Sequence, residues 1–153
     1  VTSIDFIEMI EISTHSLAKI VRVAKPLINP WGSIVTLSFQ AAQRAMPHYG
    51  LMGVAKAALE SLVRSLAIEL GQEKRIRVNS VSAGPIATLA SLSIARTDFE
   101  KFQEELTRRS AIPEKISADD IAETVAFLCS NSARKITGQT IFVDCGLSSC
   151  LKL

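Results

Sequence analysis

The sequence has no glycine-rich nucleotide loop: no G-x-x-x-x-x-G-x-G follows a strand-like run anywhere in its 153 residues. Phosphate binding in open α/β sheets relies on that turn and on the helix N-terminus behind it. These residues alone are therefore not expected to hold a nucleotide well. Gly50-x-x-Gly53 is no substitute, because no strand-to-helix turn surrounds it. Histidine is scarce, with His15 and His48 far apart, and the three cysteines, Cys129, Cys145 and Cys150, form no C-x-x-C pair. Nothing here supports a metal site, and free thiols in a reducing compartment are the expectation. No apolar run approaches the length of a membrane span. The net charge of +2 is too small to argue for nucleic acid on electrostatic grounds. The N-terminus carries an early acid, Asp5, and no basic region, unlike a signal peptide. It also lacks an initiator methionine, so the chain is expected to begin inside a longer unit.

What is present is a folding sequence. Hydrophobic residues make up 48% and charged residues 21%, a balance that favours a globular domain with a real core over disorder. Phe6, Ile10, Leu17, Ile20, Val21 and Ala24 recur at helical spacing and predict a helix from Asp5 to about Leu27, ended by Pro26. Asn29-Pro30-Trp31-Gly32 reads as a turn. Ser33 to Ser38 is a short, nearly all-apolar run, as expected of a strand buried on both faces. A helix from about Gly53 to Leu70 presents Ala55, Leu59, Leu62, Val63, Leu66, Ala67 and Leu70 on one broad face, with Gly71 as its expected left-handed C-cap. Arg77 to Ser82 is the next strand. The charged segment from Ala90 to Arg109 is expected to be helical in part. Ser117-Ala118-Asp119-Asp120 resembles a capping box that opens a helix through about Leu128. Thr140 to Asp144 is a last strand.

Strands that alternate with crossover helices predict a parallel sheet in an α/β layer fold. Three strands make a thin sheet, with an edge expected to expose unpaired backbone and apolar faces.

The chain has one tyrosine, Tyr49, and a lysine, Lys56, seven residues later at the head of an alanine-rich run. Seven residues subtend about 700° on a helix, so both would share a face about 10 Å apart along the axis. A phenol and an ammonium that converge on one small ligand form a proton donor tuned by a neighbouring positive charge. Such pairs also arise by chance, with the tyrosine a packed core phenol and the lysine a surface charge.

The surrounding text changes that balance. Ser38-Phe39 at a strand end, the Tyr-x-x-Met-Gly-x-Ala-Lys-Ala-x-Leu-Glu string at 49–60, and Ser82-Ala83-Gly84-Pro85-Ile86-Ala87-Thr88-Leu89-Ala90 resemble the short-chain dehydrogenase/reductase superfamily. Within it they are most similar to the NADH-dependent enoyl-acyl-carrier-protein reductases of bacterial and plastid fatty-acid synthesis. Ordinary superfamily members place lysine four residues after tyrosine; the enoyl reductases use the longer spacing seen here. The tail through Asp119-Asp120, Thr137-Gly138-Gln139 and Val143-Asp144 resembles a generic superfamily ending.

The resemblance implies the C-terminal part of a Rossmann-like doubly wound parallel sheet with flanking helices, residues 1–153 forming a partial domain without its N-terminal nucleotide-binding half. It implies reduction of trans-2-enoyl thioesters carried on acyl carrier protein, with NADH as cofactor and no metal. Tyr49 and Lys56 would be catalytic. Lys56, Ser38, Ala83, Gly84, Pro85, Ile86 and Thr88 would hold the cofactor. Phe39, Tyr49, Met52 and Ala90 would face the substrate, although Met52 taken alone reads as an ordinary core filler. Gly84 would permit close backbone approach. A homotetramer, a bacterial cytoplasmic or plastid location, and no nucleic-acid or membrane partner follow from the same resemblance.

Two positions depart from the family pattern. Phe39 stands where a second tyrosine is common, and Val143-Asp144-Cys145-Gly146 replaces a Val-Asp-Gly-Gly ending. Lys101, Arg108 and Arg109 could meet an acidic carrier protein, but a solvated helix face explains them more simply. His48 beside Tyr49 reads as a partly exposed side chain. Two other readings stay open at this level: a short-chain oxidoreductase acting on ketones or alcohols, which the seven-residue spacing disfavours, and a non-catalytic interaction domain, which the missing loop and Phe39 favour.

Overall fold

The computed structural model describes residues 1–47, 49–88, 91 and 99–149. Helix α1 (Ser3–Ile10) opens with a capping box in which Thr2 and Asp5 exchange side-chain and backbone hydrogen bonds. A π-helical turn at Glu11–His15 leads into α2 (Ser16–Ala24). The single helix expected over Asp5–Leu27 is therefore three segments. The π turn buries Thr14, whose hydroxyl donates to the Ala55 carbonyl at 2.9 Å, a long-range contact that local periodicity does not reveal.

Strand β1 (Ser33–Phe39) is followed by a 3-10 turn at Gln40–Ala42 and by α3 (Gly50–Lys74). Helix α3 starts three residues before the expected Gly53 and runs through Gly71, which is not its cap. The left-handed residue is Arg75, at φ 60°. Its guanidinium lies 4.8 Å from the centre of the Trp31 ring, a cation–π contact that holds a non-glycine residue in that conformation. Lys74 caps the end of α2 by donating to the carbonyls of Lys25 at 2.8 Å and Ile28 at 3.1 Å.

Strand β2 (Arg77–Ala83), helices α4 (Phe99–Arg109) and α5 (Ala118–Cys129), and strand β3 (Thr140–Val143) complete the described elements. Ser117 and Asp120 form the capping box read from the sequence. The helical part of the charged segment is α4, whereas Leu89, Ala90 and 92–98 lie outside the described residues, as do His48 and Cys150.

The three strands are parallel in the order β1-β2-β3, with Ser38 beside Ser82 and Ala83 beside Val143. On one face of the sheet Val21, Val63, Leu66, Leu70 and Val78 pack between α2, α3 and β2. On the other, Val81, Ala83, Ile121 and Leu128 pack between the sheet and α5. Central β2 is buried along its whole length; Arg77 and Asn79 find internal partners for their side chains, whereas the Ser80 and Ser82 hydroxyls have none among the described residues. Asn79 donates to the Ile136 carbonyl and accepts from the Gln139 amide, which fixes the turn before β3. Strand β1 is not buried on both faces as expected: it lies at the sheet edge, and Leu37 is 49% exposed. An apolar run has the same composition in a central strand and at an edge, so composition could not distinguish them.

Arg77 ties the start of β2 to the end of α5. Its buried guanidinium donates to the Leu128 carbonyl at 2.6 Å and the Ser130 carbonyl at 3.2 Å, satisfying the end of α5 with a cation where the helix dipole is negative. Arg77→Met keeps much of the apolar stem and removes the charged donors. It is expected to lower stability by about 1.5–3 kcal/mol. Chemical denaturation measures that loss, and hydrogen exchange should locate the earliest opening in the last turn of α5.

Candidate functional site

The parallel strands β1 and β2 end at Phe39 and Ala83, and a cavity of about 260 Å³ opens beyond them. This is the side of an open parallel sheet where ligands bind, because the crossovers leave a crevice there. Leu37, Ser38 and Phe39 form one wall and Ala83, Gly84, Pro85, Ile86 and Thr88 the adjacent one. Tyr49, Met52 and Lys56 enter from the start of α3. The outer rim is Ser91 with Phe99 and Phe102 of α4.

The placement of Tyr49 is local in origin. The Tyr49 amide donates to the Met46 carbonyl at 3.2 Å. Gly50 then takes φ +40°, a backbone state that glycine enters without steric cost. Tyr49 thus caps the helix rather than lying within it, and the ideal helical angle to Lys56 does not apply strictly. The two side chains nevertheless reach the same cavity. The Phe39 and Tyr49 rings sit 4.9 Å apart at 33°, so Phe39 forms a wall for the phenol.

Burial sets the electrostatics. It raises the Tyr49 phenol above its ordinary value and lowers the Lys56 ammonium below its own, in each case because the charged form loses water. Tyr49 is therefore a neutral hydroxyl at neutral pH. Among the described residues the Lys56 ammonium donates to the Leu37 carbonyl at 2.8 Å.

Ser38 is buried, and its hydroxyl donates to the Glu60 carboxylate at 2.6 Å. Its lone pairs remain for a ligand. Gly84 is needed for a reason other than ligand approach. A Cβ there would meet the Ile116 side chain at 2.2 Å and the Asp144 backbone at 3.2 Å, so the close approach is to the chain itself. The loop beyond β2 is tied down from two sides: Ser91 Oγ donates to the Ile86 carbonyl at 2.8 Å, and Gln103 Nε2 of α4 donates to the Pro85 carbonyl at 2.8 Å.

The cavity thus gathers every candidate site residue read from the sequence that lies among the described ones; Ala90 is outside them. The sequence reading missed Leu37, Ser91, Phe99, Phe102 and Gln103. The Phe99/Phe102 pair was the available signal, two aromatics three apart on an otherwise charged helix. Arg108 and Arg109 both pair with Glu105 on the exposed side of α4. Among the described residues, no group of His, Cys, Asp or Glu side chains is placed to hold a metal ion, and no helix is long and apolar enough to cross a membrane.

The donor set fits the nicotinamide–ribose end of a dinucleotide. An ammonium and a hydroxyl can meet ribose hydroxyls, and a mostly apolar slot suits a flat ring. No described element offers the phosphates a glycine-rich turn.

Comparison with known proteins agrees with this geometry. The sequence model described as Enoyl-(Acyl carrier protein) reductase matches residues 1–148. The chain is 42% identical over 135 residues to the enoyl-[acyl-carrier-protein] reductase [NADH] FabI of Bacillus subtilis, covering 88% of this chain and 51% of that protein. It is 45% identical over 142 residues to the Synechocystis protein of the same name, covering 92% and 54%. The crystal structure of the FabI–NADH complex from Alistipes finegoldii superposes with a TM-score of 0.92 at 35% identity, covering 99% of this chain and 53% of that one. The chain spans about half the length of the curated relatives it matches. A family match over nearly every residue, and a fold shared with solved reductases, establish that the chain belongs to the enoyl-(acyl carrier protein) reductase family.

Proposed function

We propose that this chain carries the phenol–ammonium half of an enoyl-thioester reductase site and works in NADH-dependent reduction of trans-2-enoyl groups borne on acyl carrier protein. The observation that carries the reading is the convergence of Tyr49, Lys56 and Ser38 on one apolar cavity at the strand ends. Relatives named as NADH reductases, and a relative solved with NADH, support the choice of cofactor and substrate. In this reading these residues meet the nicotinamide–ribose end of the cofactor and not its phosphates, since the sequence carries no glycine-rich turn after a strand.

In this reading Lys56 and Ser38 hold the nicotinamide ribose, and the backbone of 83–88 lines the ring. When bound, the cofactor would supply hydride to the β-carbon of the enoyl group, and the α-carbon of the resulting enolate would take its proton from solvent. Tyr49 donates a hydrogen bond to the thioester carbonyl as negative charge gathers there, a donor already in place when the charge develops. Burial keeps that phenol protonated, so it is available as a donor without a separate base. Lys56 adds positive potential beside the same oxygen. Phe39, Met52, Phe99 and Phe102 exclude water from the acyl chain. Exposed apolar side chains along the helices, Val54 and Ile68 of α3 and Ile7 of α1 among them, support a homo-oligomer of the kind implied by the family, a tetramer. A bacterial cytoplasmic location belongs to the same proposal and rests on the bacterial relatives.

In the complete gene product, Tyr49→Phe is expected to lower turnover of an enoyl thioester by about 10²–10³-fold, the usual loss for one oxyanion donor. NADH affinity, read by fluorescence titration, should stay within about twofold, since the hydrogen bond that phenylalanine cannot make strengthens only as charge develops. Undiminished turnover would reject the assignment. Lys56→Ala should weaken NADH binding and turnover together, and normal cofactor affinity would remove lysine from the ribose site.

Lys56 also fixes a pH dependence. Its lowered pKa means it loses its proton earlier as pH rises than an exposed lysine does. Tyr49, raised, loses its proton later than an exposed tyrosine does. The alkaline fall in kcat/KM is therefore expected below the ordinary lysine range, and in the residual activity of Lys56→Met it should move up to the pH at which Tyr49 loses its proton. A fall that stays at the same pH in that variant would assign it to another group.

A further inference from the structure

One buried titratable side chain takes no part in this chemistry. Glu60 lies one helical turn beyond Lys56 on α3 and is 5% exposed. Among the described residues no ion pair involves it. A carboxylate taken from water is costly unless its oxygens are hydrogen-bonded. Both oxygens are engaged: Ser38 Oγ donates to one at 2.6 Å and Gln43 Nε2 to the other at 3.2 Å.

The two donors bracket the segment that leaves β1. Ser38 is the last residue but one of the strand, and Gln43 follows the 3-10 turn. Between them the segment touches α3 twice more. The Phe39 ring packs on Tyr49. The Ala41 carbonyl lies so close to α3 that a Cβ on Gly53 would stand 2.8 Å from its oxygen. Lys56 also reaches the strand end, through the Leu37 carbonyl, but Glu60 is the charged side chain that accepts from both ends of the segment.

We propose that Glu60 is a positioning residue for Tyr49: its buried carboxylate locks the exit of β1 onto α3, and that lock sets the direction in which the phenol enters the cavity. Without it the Ser38 hydroxyl and the Gln43 amide lose their common acceptor, and the Phe39 wall is free to shift. An amide at position 60 preserves the lock. Its oxygen accepts from Ser38, and Gln43 can rotate its own amide to accept from the new NH₂ group. Geometry and charge are thereby separable. The functional meaning rests on the donor role given to Tyr49, but the test needs no turnover.

Because the chain contains a single tyrosine, its ring resonances and its ultraviolet phenol titration report Tyr49 alone. In the 153-residue chain, Glu60→Ala is expected to lose the Phe39–Tyr49 ring cross-peaks. Its phenol should titrate closer to the ordinary value, from the raised position that burial now imposes. Glu60→Gln should retain both signals. So should Val63→Ala, which removes buried packing further along the same helix without touching the segment. Unchanged signals in Glu60→Ala would overturn the proposal. So would a loss in Glu60→Gln equal to that in Glu60→Ala, which would make the effect one of charge, or an equal loss in Val63→Ala, which would make it general loosening. If Glu60→Ala does not fold, Glu60→Asp takes its place. A carboxylate one methylene shorter cannot reach both donors, so weakened ring cross-peaks are expected, and wild-type signals would overturn the proposal. A ring that stays in place rejects the positioning role and leaves enoyl reduction standing. Full turnover in Tyr49→Phe would reject the reductase reading and leave the ring geometry standing.

Discussion

The site depends on how closely α3 can approach the chain leaving β1. At Gly53 a methyl group would stand only 2.8 Å from the Ala41 carbonyl oxygen, too close without a shift of the backbone. That approach brings the first turns of α3 against Phe39 and Ser38, and it carries Tyr49 and Lys56 to the open end of the sheet. Thr14 fastens the same helix from the other side through the Ala55 carbonyl, one residue before Lys56. The two contacts hold α3 between the N-terminal helices and the strand end, and the phenol and ammonium share one cavity as a result.

A second consequence concerns polarity inside the sheet. Strand β2 is entirely buried yet carries arginine, asparagine and serine. Arg77 and Asn79 are matched to carbonyls at the end of α5 and in the turn before β3. Polar side chains at the start of the strand thus fix the flanking connections, while its far end, Ala83, is small and borders the cavity. Buried polar groups specify a unique arrangement only when matched in this way. Here the matching sets the register of β3 on β2, and with it the position of Asp144 beside Gly84.

Much of this was legible in the sequence because it rests on local patterns. Periodicity and capping residues marked the helices and the three strands, and the Ser117–Asp120 box appears as read. The convergence of Tyr49, Lys56, Ser38 and the 83–88 loop was legible through motif context, not through helical angles, since Tyr49 proved to be the cap of its helix. What was not legible depends on distant partners. Gly71 looked like a C-cap because glycine usually serves there. The actual left-handed residue, Arg75, is held by Trp31, more than forty positions earlier. The π turn answers to Ala55, the half-exposure of β1 to its place at the sheet edge, and the burial of Glu60 to two donors on another element. On an exposed helix Glu60 would read as one more solvated charge.

The two shifted groups at the site show why burial alone can prepare it. Desolvation disfavours whichever form is charged, so it moves a phenol and an ammonium in opposite directions, toward two neutral species. For Tyr49 that direction is useful at once: the neutral phenol is the hydrogen-bond donor. For Lys56 it works against the charge the site needs, and the Leu37 carbonyl at 2.8 Å partly offsets it by accepting a hydrogen bond from the ammonium. A ligand that closed the cavity would remove more water from both. The phenol would be confirmed as a donor, whereas the ammonium would need acceptors from the ligand in place of the displaced water, which ribose hydroxyls can provide. The same enclosure that makes the phenol a better donor therefore makes the lysine depend on a hydroxyl-bearing ligand, which under the proposed function would couple cofactor binding to the electrostatics of the phenol.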